Sequence, residues 1–345
     1  MNITELEKIT KQIKKYQLED EIIDIENWLR NLNEKRIKNF ISLDIYPLNK
    51  ISKFKFLLVN QEVLNSDYYL EDMMFVNNAK SDVIAGYLID VAMNKNSLES
   101  NYHKEDMKLI SNTKNDNIAE CLSGVAVNRN SLESKHHKED MELISNAKSD
   151  YIAIRLRNVA MDKNSLESDH HREDMKLIAN AKSDYIAKCL NRVATDKNSL
   201  ESKHHREDIE LISNAKSAEI DSCLIYLAID KNSLESNYHK EDMELISNAK
   251  SAEIACYLYF VAENKNSLES KYHKEDMKRL LDAKDDCDAK EIYNNIIKQY
   301  EVQNKKEESN YVTFQEKIDA IHQNAVEYTD GDTTKELDDS VFILK

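Results

Sequence analysis

Apolar residues in this chain recur on a helical period, and the helical pattern itself recurs on a longer one. Between positions 149 and 160, Ile152, Ala153, Leu156, Val159 and Ala160 fall at i, i+1, i+4, i+7 and i+8. That spacing lays one apolar stripe along a helix of 3.6 residues per turn. Ser149 or Asp150 supplies a capping oxygen at its start. The polar segment Asp162-Lys163-Asn164 then interrupts the stripe. With no glycine there, Asn164 is the residue expected to turn left-handed and end the helix. A second helix is expected behind a Leu166 staple and a Ser168 cap, running to about Ala181, with His171, Met175, Ile178 and Ala181 along one side.

The whole pattern returns every 34 residues: Asn-Ser-Leu-Glu-Ser begins at Asn96, Asn130, Asn164, Asn198, Asn232 and Asn266 with no insertion. Upstream, Leu64, Glu71, Asp72, Met73, Ala79 and Lys80 keep the same register, and Ile51, Phe54, Leu57 and Leu58 hold the preceding apolar stripe. Downstream, Ala289, Ile292 and Ile296 continue it into a closing helix near 285–299. One hairpin cannot bury its own apolar face, whereas stacked copies bury a continuous core between them. The expected fold is all-α: an α-solenoid or superhelix of about seven 34-residue helix-turn-helix repeats. Residues 1–46 are expected to cap the array with helical segments near 3–17, 18–32 and 34–42, and residues 47–299 to form it. Residues 300–345 read as a polar linker, a short helix at 313–325 and an acidic tail.

Composition supports helices. Three glycines and one proline in 345 residues leave little material for hairpins or long loops. A net charge of −16 disfavours direct contact with nucleic acid or an anionic membrane and points to a protein or peptide partner. The cysteines at 121, 189, 223, 256 and 287 show no Cys-x-x-Cys spacing, the N-terminus shows no leader pattern, and no apolar run reaches membrane length. These features suggest a reduced, cytoplasmic protein.

The most conspicuous chemistry is His-Lys/Arg-Glu-Asp, which opens each second helix from His103 to His273 and is preceded by a further histidine at His136, His170 and His204. Adjacent histidines on a helix diverge by about 100°, and equivalent histidines in successive repeats stand about a helix spacing apart, so a shared metal ion is disfavoured. The histidines are expected to be structural and hydrogen-bonded within the repeat. The acids are expected to complement the positive end of the helix dipole, and the column Cys121, Cys189 and Cys223 to pack as small apolar groups. Every candidate catalytic set recurs with the repeat, whereas an active site occurs once, so no enzyme, cofactor or metal is expected.

Within the constant frame, change concentrates on the first helix. One column reads Tyr87, Cys121, Arg155, Cys189, Cys223, Tyr257; another Ile89, Ser123, Arg157, Asn191, Ile225, Tyr259; a third Asp90, Gly124, Asn158, Arg192, Tyr226, Phe260. The candidate partner-binding residues are Arg155, Arg157, Asn158, Lys188, Arg192, Tyr226, Tyr257, Tyr259 and Phe260, because arginine and tyrosine anchor many interfaces. The plainer reading, drift at exposed positions together with ordinary packing, stands beside it.

The 34-residue helical unit resembles tetratricopeptide and related α-solenoids over roughly 47–299, although Trp-x2-Leu-Gly-x2-Tyr and a terminal proline are absent. Ile-Ser-Asn-Ala-Lys with Val-Ala-x-x-Lys-Asn-Ser-Leu is also similar to tandem repeats of uncharacterised bacterial proteins. The resemblance is to this architecture and carries no activity; the variable face suggests a scaffold, adaptor or inhibitor that binds a protein or peptide. Two alternatives remain: an acidic nucleic-acid mimic that inhibits a nucleic-acid-binding complex such as a host defence system, and an RNA-binding solenoid that uses the arginines.

Overall fold

The structure, a computed structural model, describes residues 2–22, 24–44, 52–113 and 115–303. The described residues form helices and no strands, an all-α solenoid on a 34-residue period. The chain divides into two compact units, Met1–Asn180 and Ala181–Lys345, each built of the same repeat.

Each full repeat contains three helices where the sequence suggested two. In one copy a long helix spans Asp150–Met161, a short helix Lys163–Glu167 and a second helix His171–Ala179. Ser149 caps the long helix by accepting from the backbone N–H of Ile152. Asp162 ends it in an extended conformation, φ −77° and ψ 123°, and caps the short helix by accepting from Ser165 N–H. The break therefore lies at Asp162. Asn164 sits inside the short helix, and Gln17 is the sole non-glycine residue with positive φ among those described. One carboxylate does both jobs because an N-cap needs extended backbone and a free oxygen, and extended backbone also stops the helix before it.

The second helix starts at His171, three residues beyond the expected Ser168 cap. Ser168 Oγ instead accepts from His170 N–H at 3.1 Å, a serine turn that leads the chain into the helix. Leu166 is only half-buried, whereas Ser165 has no exposed surface at all.

The core repeats the stripes read from the sequence. Ile152, Ala153, Leu156, Val159, Ala160, Met175 and Ile178 are all buried. Burying each of the larger ones contributes roughly 1.5–3 kcal/mol before entropy is counted. In the first unit, Asp150–Met161 packs on Asp116–Val127, and the helix His137–Ser145 lies against both. In the second, Ala218–Ile229 packs on Ala252–Ala262, which in turn meets the closing helix Asp286–Gln303.

The N-terminal region forms helices Ile3–Tyr16, Ile25–Arg30 and Glu34–Ser42. The middle one is shorter than its amphipathic pattern because Gln17 is left-handed and Asp24 caps anew. Trp28 meets Phe40 edge-on at 5.4 Å and donates to the Val59 carbonyl at 2.8 Å, tying this region to the first repeat. The helix expected at 313–325 and the tail beyond it lie outside the described residues. Among those described, no helix is long and apolar enough to cross a membrane.

Candidate interaction face and the buried ladder

Consecutive repeats are joined by a buried polar ladder made from the His-Lys/Arg-Glu-Asp motif. His103, His137 and His171 in the first unit present Nε2 to Asp72, Asp106 and Asp140 of the preceding repeat, with closest contacts of 2.9–3.0 Å. His239 and His273 meet Asp208 and Asp242 in the same way in the second unit, both at 2.9 Å. The other ring nitrogen faces a serine of the short helix six residues earlier. Ser97, Ser131, Ser165, Ser199, Ser233 and Ser267 stand 2.8–3.0 Å from Nδ1. With a carboxylate accepting from Nε2–H, the serine hydroxyl satisfies the remaining ring nitrogen, Nδ1. The histidines are thus bonded both within the repeat and across to the preceding one. The short helix exists to deliver that serine, which explains why Ser165 rather than Leu166 is the fully buried residue.

The motif's remaining letters join repeats as well. Lys104 pairs with Glu71 at 2.9 Å, Lys138 with Glu105 at 3.2 Å, Arg172 with Glu139 at 2.9 Å and Lys240 with Glu207 at 2.8 Å. Lys274 pairs with Glu241. These pairs are solvated, and water screens most of their attraction. The aspartates stand in the first turn of the second helix as expected from the helix dipole, and they are in addition buried against histidine. Burial pushes Asp72, Asp106 and Asp242 above the usual carboxylate range, while the histidine hydrogen bonds pull the other way.

The doubled histidines have a packing explanation. At five places the ring that precedes the histidine column packs face-on or tilted against the ladder histidine of the next repeat: Tyr68 on His103, Tyr102 on His137, His136 on His171, His204 on His239 and Tyr238 on His273, at 4.6–4.9 Å between rings. Tyrosine and histidine substitute for one another there because the position needs a flat ring. Burial, and then the neighbouring histidine, hold His136 and His204 below the ordinary imidazole range, so both favour the neutral form that stacks.

Serine, histidine and aspartate in contact look like a nucleophilic triad, but every ladder serine and histidine has no exposed surface. A nucleophile must reach its substrate, so this arrangement serves cohesion. No group of three or more histidine, cysteine or acidic side chains gathers as a metal site among the described residues.

Both ends of the ladder are closed by tyrosine. In the first copy Tyr69 stands in the histidine column and Val63 in the serine column, and the corresponding aspartate position is the exposed Lys38. Tyr69 donates instead to the Leu58 carbonyl at 3.4 Å. At the far end Asp276 has no following histidine and accepts from Tyr300 Oη of the closing helix at 2.6 Å, and from Arg279 at 3.1 Å.

The expected partner-binding residues divide by unit. In the first, Arg155 lies over the Tyr151 ring at 4.4 Å and donates to its hydroxyl at 2.7 Å. Arg157 rests in a notch over Gly124 with Glu120 3.8 Å away, and Asn158 is exposed. In the second unit Lys188 is half-buried and Arg192 exposed. The Arg192 guanidinium begins a continuous strip: it lies 4.8 Å from the Tyr226 ring, Tyr226 6.1 Å from Tyr259, Tyr259 5.2 Å from Phe260, and Phe260 6.3 Å from Tyr293. Tyr257 stacks on Tyr293 at 5.1 Å.

Tyr257 and Phe260 are 4% and 5% exposed, so they pack against the closing helix, and the part of the strip that still meets solvent is the exposed Arg192 with the half-buried Tyr226, Tyr259 and Tyr293. Burial raises the Tyr226 phenol, opposed by Arg192, and raises Tyr257 to about 12. Tyr259 donates to Glu263 at 2.6 Å. Tyr293 belongs to the strip although the repeat comparison gave it no place, because it lies on the worn closing helix.

Asp221 is the second residue missed from sequence. It occupies a column otherwise filled by Ala85, Ala119, Ala153, Ala187 and Ala255. It is 2% exposed, its Oδ1 has no hydrogen-bond partner, and burial raises its carboxyl to about 8, with Lys182 acting weakly against this. Reading down the alanine column would have exposed it.

No protein-family model matches this chain, and no curated protein matches it. The fold places it in the class of helical repeat arrays.

Proposed function

We propose that this chain is a non-enzymatic interaction module that holds a protein or peptide on the variable faces of its long helices. The observation that carries the reading is the contrast between two sets of positions. Those that stitch repeats together stay nearly constant through the chain, whereas the long-helix column Asp90, Gly124, Asn158, Arg192 and Tyr226, exposed or half-buried, changes chemically from copy to copy. In the second unit the accessible recognition group is Arg192, Tyr226 and Tyr259: planar side chains already ordered by mutual stacking, which lowers the entropy lost on binding. Arg155, Arg157 and Asn158 are the corresponding group in the first unit. The likeness to tetratricopeptide-like solenoids is one of period and purpose, and the short helix gives this repeat its own form.

The test is capture from cell lysate by the full chain and by an Arg192→Ala/Tyr226→Ala/Tyr259→Ala variant, at low and high salt. A protein retained by the parent chain at high salt and lost by the variant supports the reading. Equal retention by both would sink this face. The net charge of −16 favours a second reading, an acidic mimic of nucleic acid. It predicts capture of a nucleic-acid-handling protein that ignores the triple change and collapses with salt.

A further inference from the structure

In the second unit the thiols of Cys223 and Cys256 lie 3.7 Å apart, and neither has any exposed surface. They sit on consecutive long helices, Ala218–Ile229 and Ala252–Ala262, 33 residues apart in sequence. Cysteine occupies the Cys223 column in three repeats, at 121, 189 and 223. The position 33 residues further on holds Ile154 for the first and Ser222 for the second, and only Cys223 has a second cysteine there. Simple filling of a small space does not need sulfur on both sides.

We propose that Cys223 and Cys256 form a redox site, which a peroxide converts to a disulfide linking the last two full repeats. One thiol gives up its proton, its sulfur attacks the O–O bond of hydrogen peroxide to give a sulfenic acid, and the leaving hydroxide takes up that proton as water. The second thiol then displaces the sulfenic oxygen as a further water. The sulfurs together give up two electrons, and the peroxide is reduced to two waters. From van der Waals contact the sulfurs need approach only to about 2.05 Å.

Cys223 is held in its thiol form, first by its hydrogen bond to Cys256 and then by burial. Attack therefore proceeds through local opening of the packing and is slow. Once closed, the bridge fixes the two helices that carry Tyr226 and Tyr259, each one turn beyond its cysteine. This chemistry stands whether or not those tyrosines bind a partner.

The experiment exposes the full chain to hydrogen peroxide, blocks remaining thiols under denaturant and maps peptides without reduction. The competing group is Cys287, the exposed cysteine. The expected result is one intramolecular Cys223–Cys256 crosslink per chain, the loss of two hydrogen masses, reversal by a thiol reductant, and no crosslink in Cys256→Ala. Circular dichroism of that variant shows whether its helices remain, and the map of the parent chain stands without it. Alkylatable Cys223 and Cys256 after treatment, with oxidation confined to Cys287, would overturn the proposal. So would a crosslink that uses Cys189 or Cys287.

Discussion

The Asp140 carboxylate accepts a 3.0 Å hydrogen bond from Nε2 of His171, 31 residues later, and the imidazole has no contact with solvent. Removing one partner leaves the other buried and unpaired, which costs about 1–3 kcal/mol, whereas removing both with an apolar replacement costs less. Asp140→Ala should therefore lower stability by that amount. Asp140→Ala combined with His171→Phe should lose less than the sum of the single changes. Urea denaturation of the four proteins decides it, and additive losses would show that the contact carries no coupling.

Tyr300→Phe deletes only the hydroxyl that closes the ladder on Asp276, where the contact is 2.6 Å. The expected loss is about 1–2 kcal/mol, from a hydrogen bond to an acidic group. Because repeat arrays fray from their ends, amide exchange should rise first over 273–303. Uniform change along the chain would count against an end-capping role.

Asp221 predicts a pH dependence with a definite sign. Its carboxyl is raised to about 8 in the fold, against about 4 when unfolded, so between these values the folded state holds more protons. Stability then falls as pH rises from about 4 to about 8, and the preference is lost once the folded group ionises. The groups close enough to act on it, or be acted on by it, are Lys182, Tyr185 and Cys189. Asp221→Ala restores the column's usual residue and should raise the melting temperature more at pH 8 than at pH 5. A stabilisation identical at both values would mean that this carboxyl does not titrate in the window.

The two described helical glycines separate backbone from side-chain effects. A Cβ at Gly86 meets nothing within 4 Å, so Gly86→Ala should stabilise by about 0.5–1 kcal/mol through helix propensity alone. At Gly124 the added carbon would lie 2.8 Å from Arg157 Nε, so the guanidinium must swing out. Gly124→Ala should gain less, and it should change any binding that uses Arg157. Equal gains at both sites would show that the notch does not hold the arginine.

Legibility followed the range of each interaction. The long-helix stripe, Ile152 to Ala160, was readable because its members are neighbours on one helix. Ser149 was readable as a cap because its partner is three residues away. The short helix was missed because Lys-Asn-Ser-Leu-Glu is too brief to show a period, and Asp162, acting at both ends, looked like a simple break. The ladder left a trace that could have been used: serine and histidine vanish together, as Val63 and Tyr69, where the corresponding aspartate is Lys38. The aromatic cluster was seen as a group, but its division into accessible Tyr226 and Tyr259 and buried Tyr257 and Phe260 was not.

By itself the sequence determined the period, the helical class and the residues that fill the core, since these follow from local spacing and from a pattern repeated without insertion. Tertiary structure alone decided that His171 meets Asp140, that His136 stacks on His171, and that Tyr257 lies under the closing helix. Each of these depends on how one repeat rotates against the next. That rotation is set by the collective packing of whole helices, which no single 34-residue copy contains.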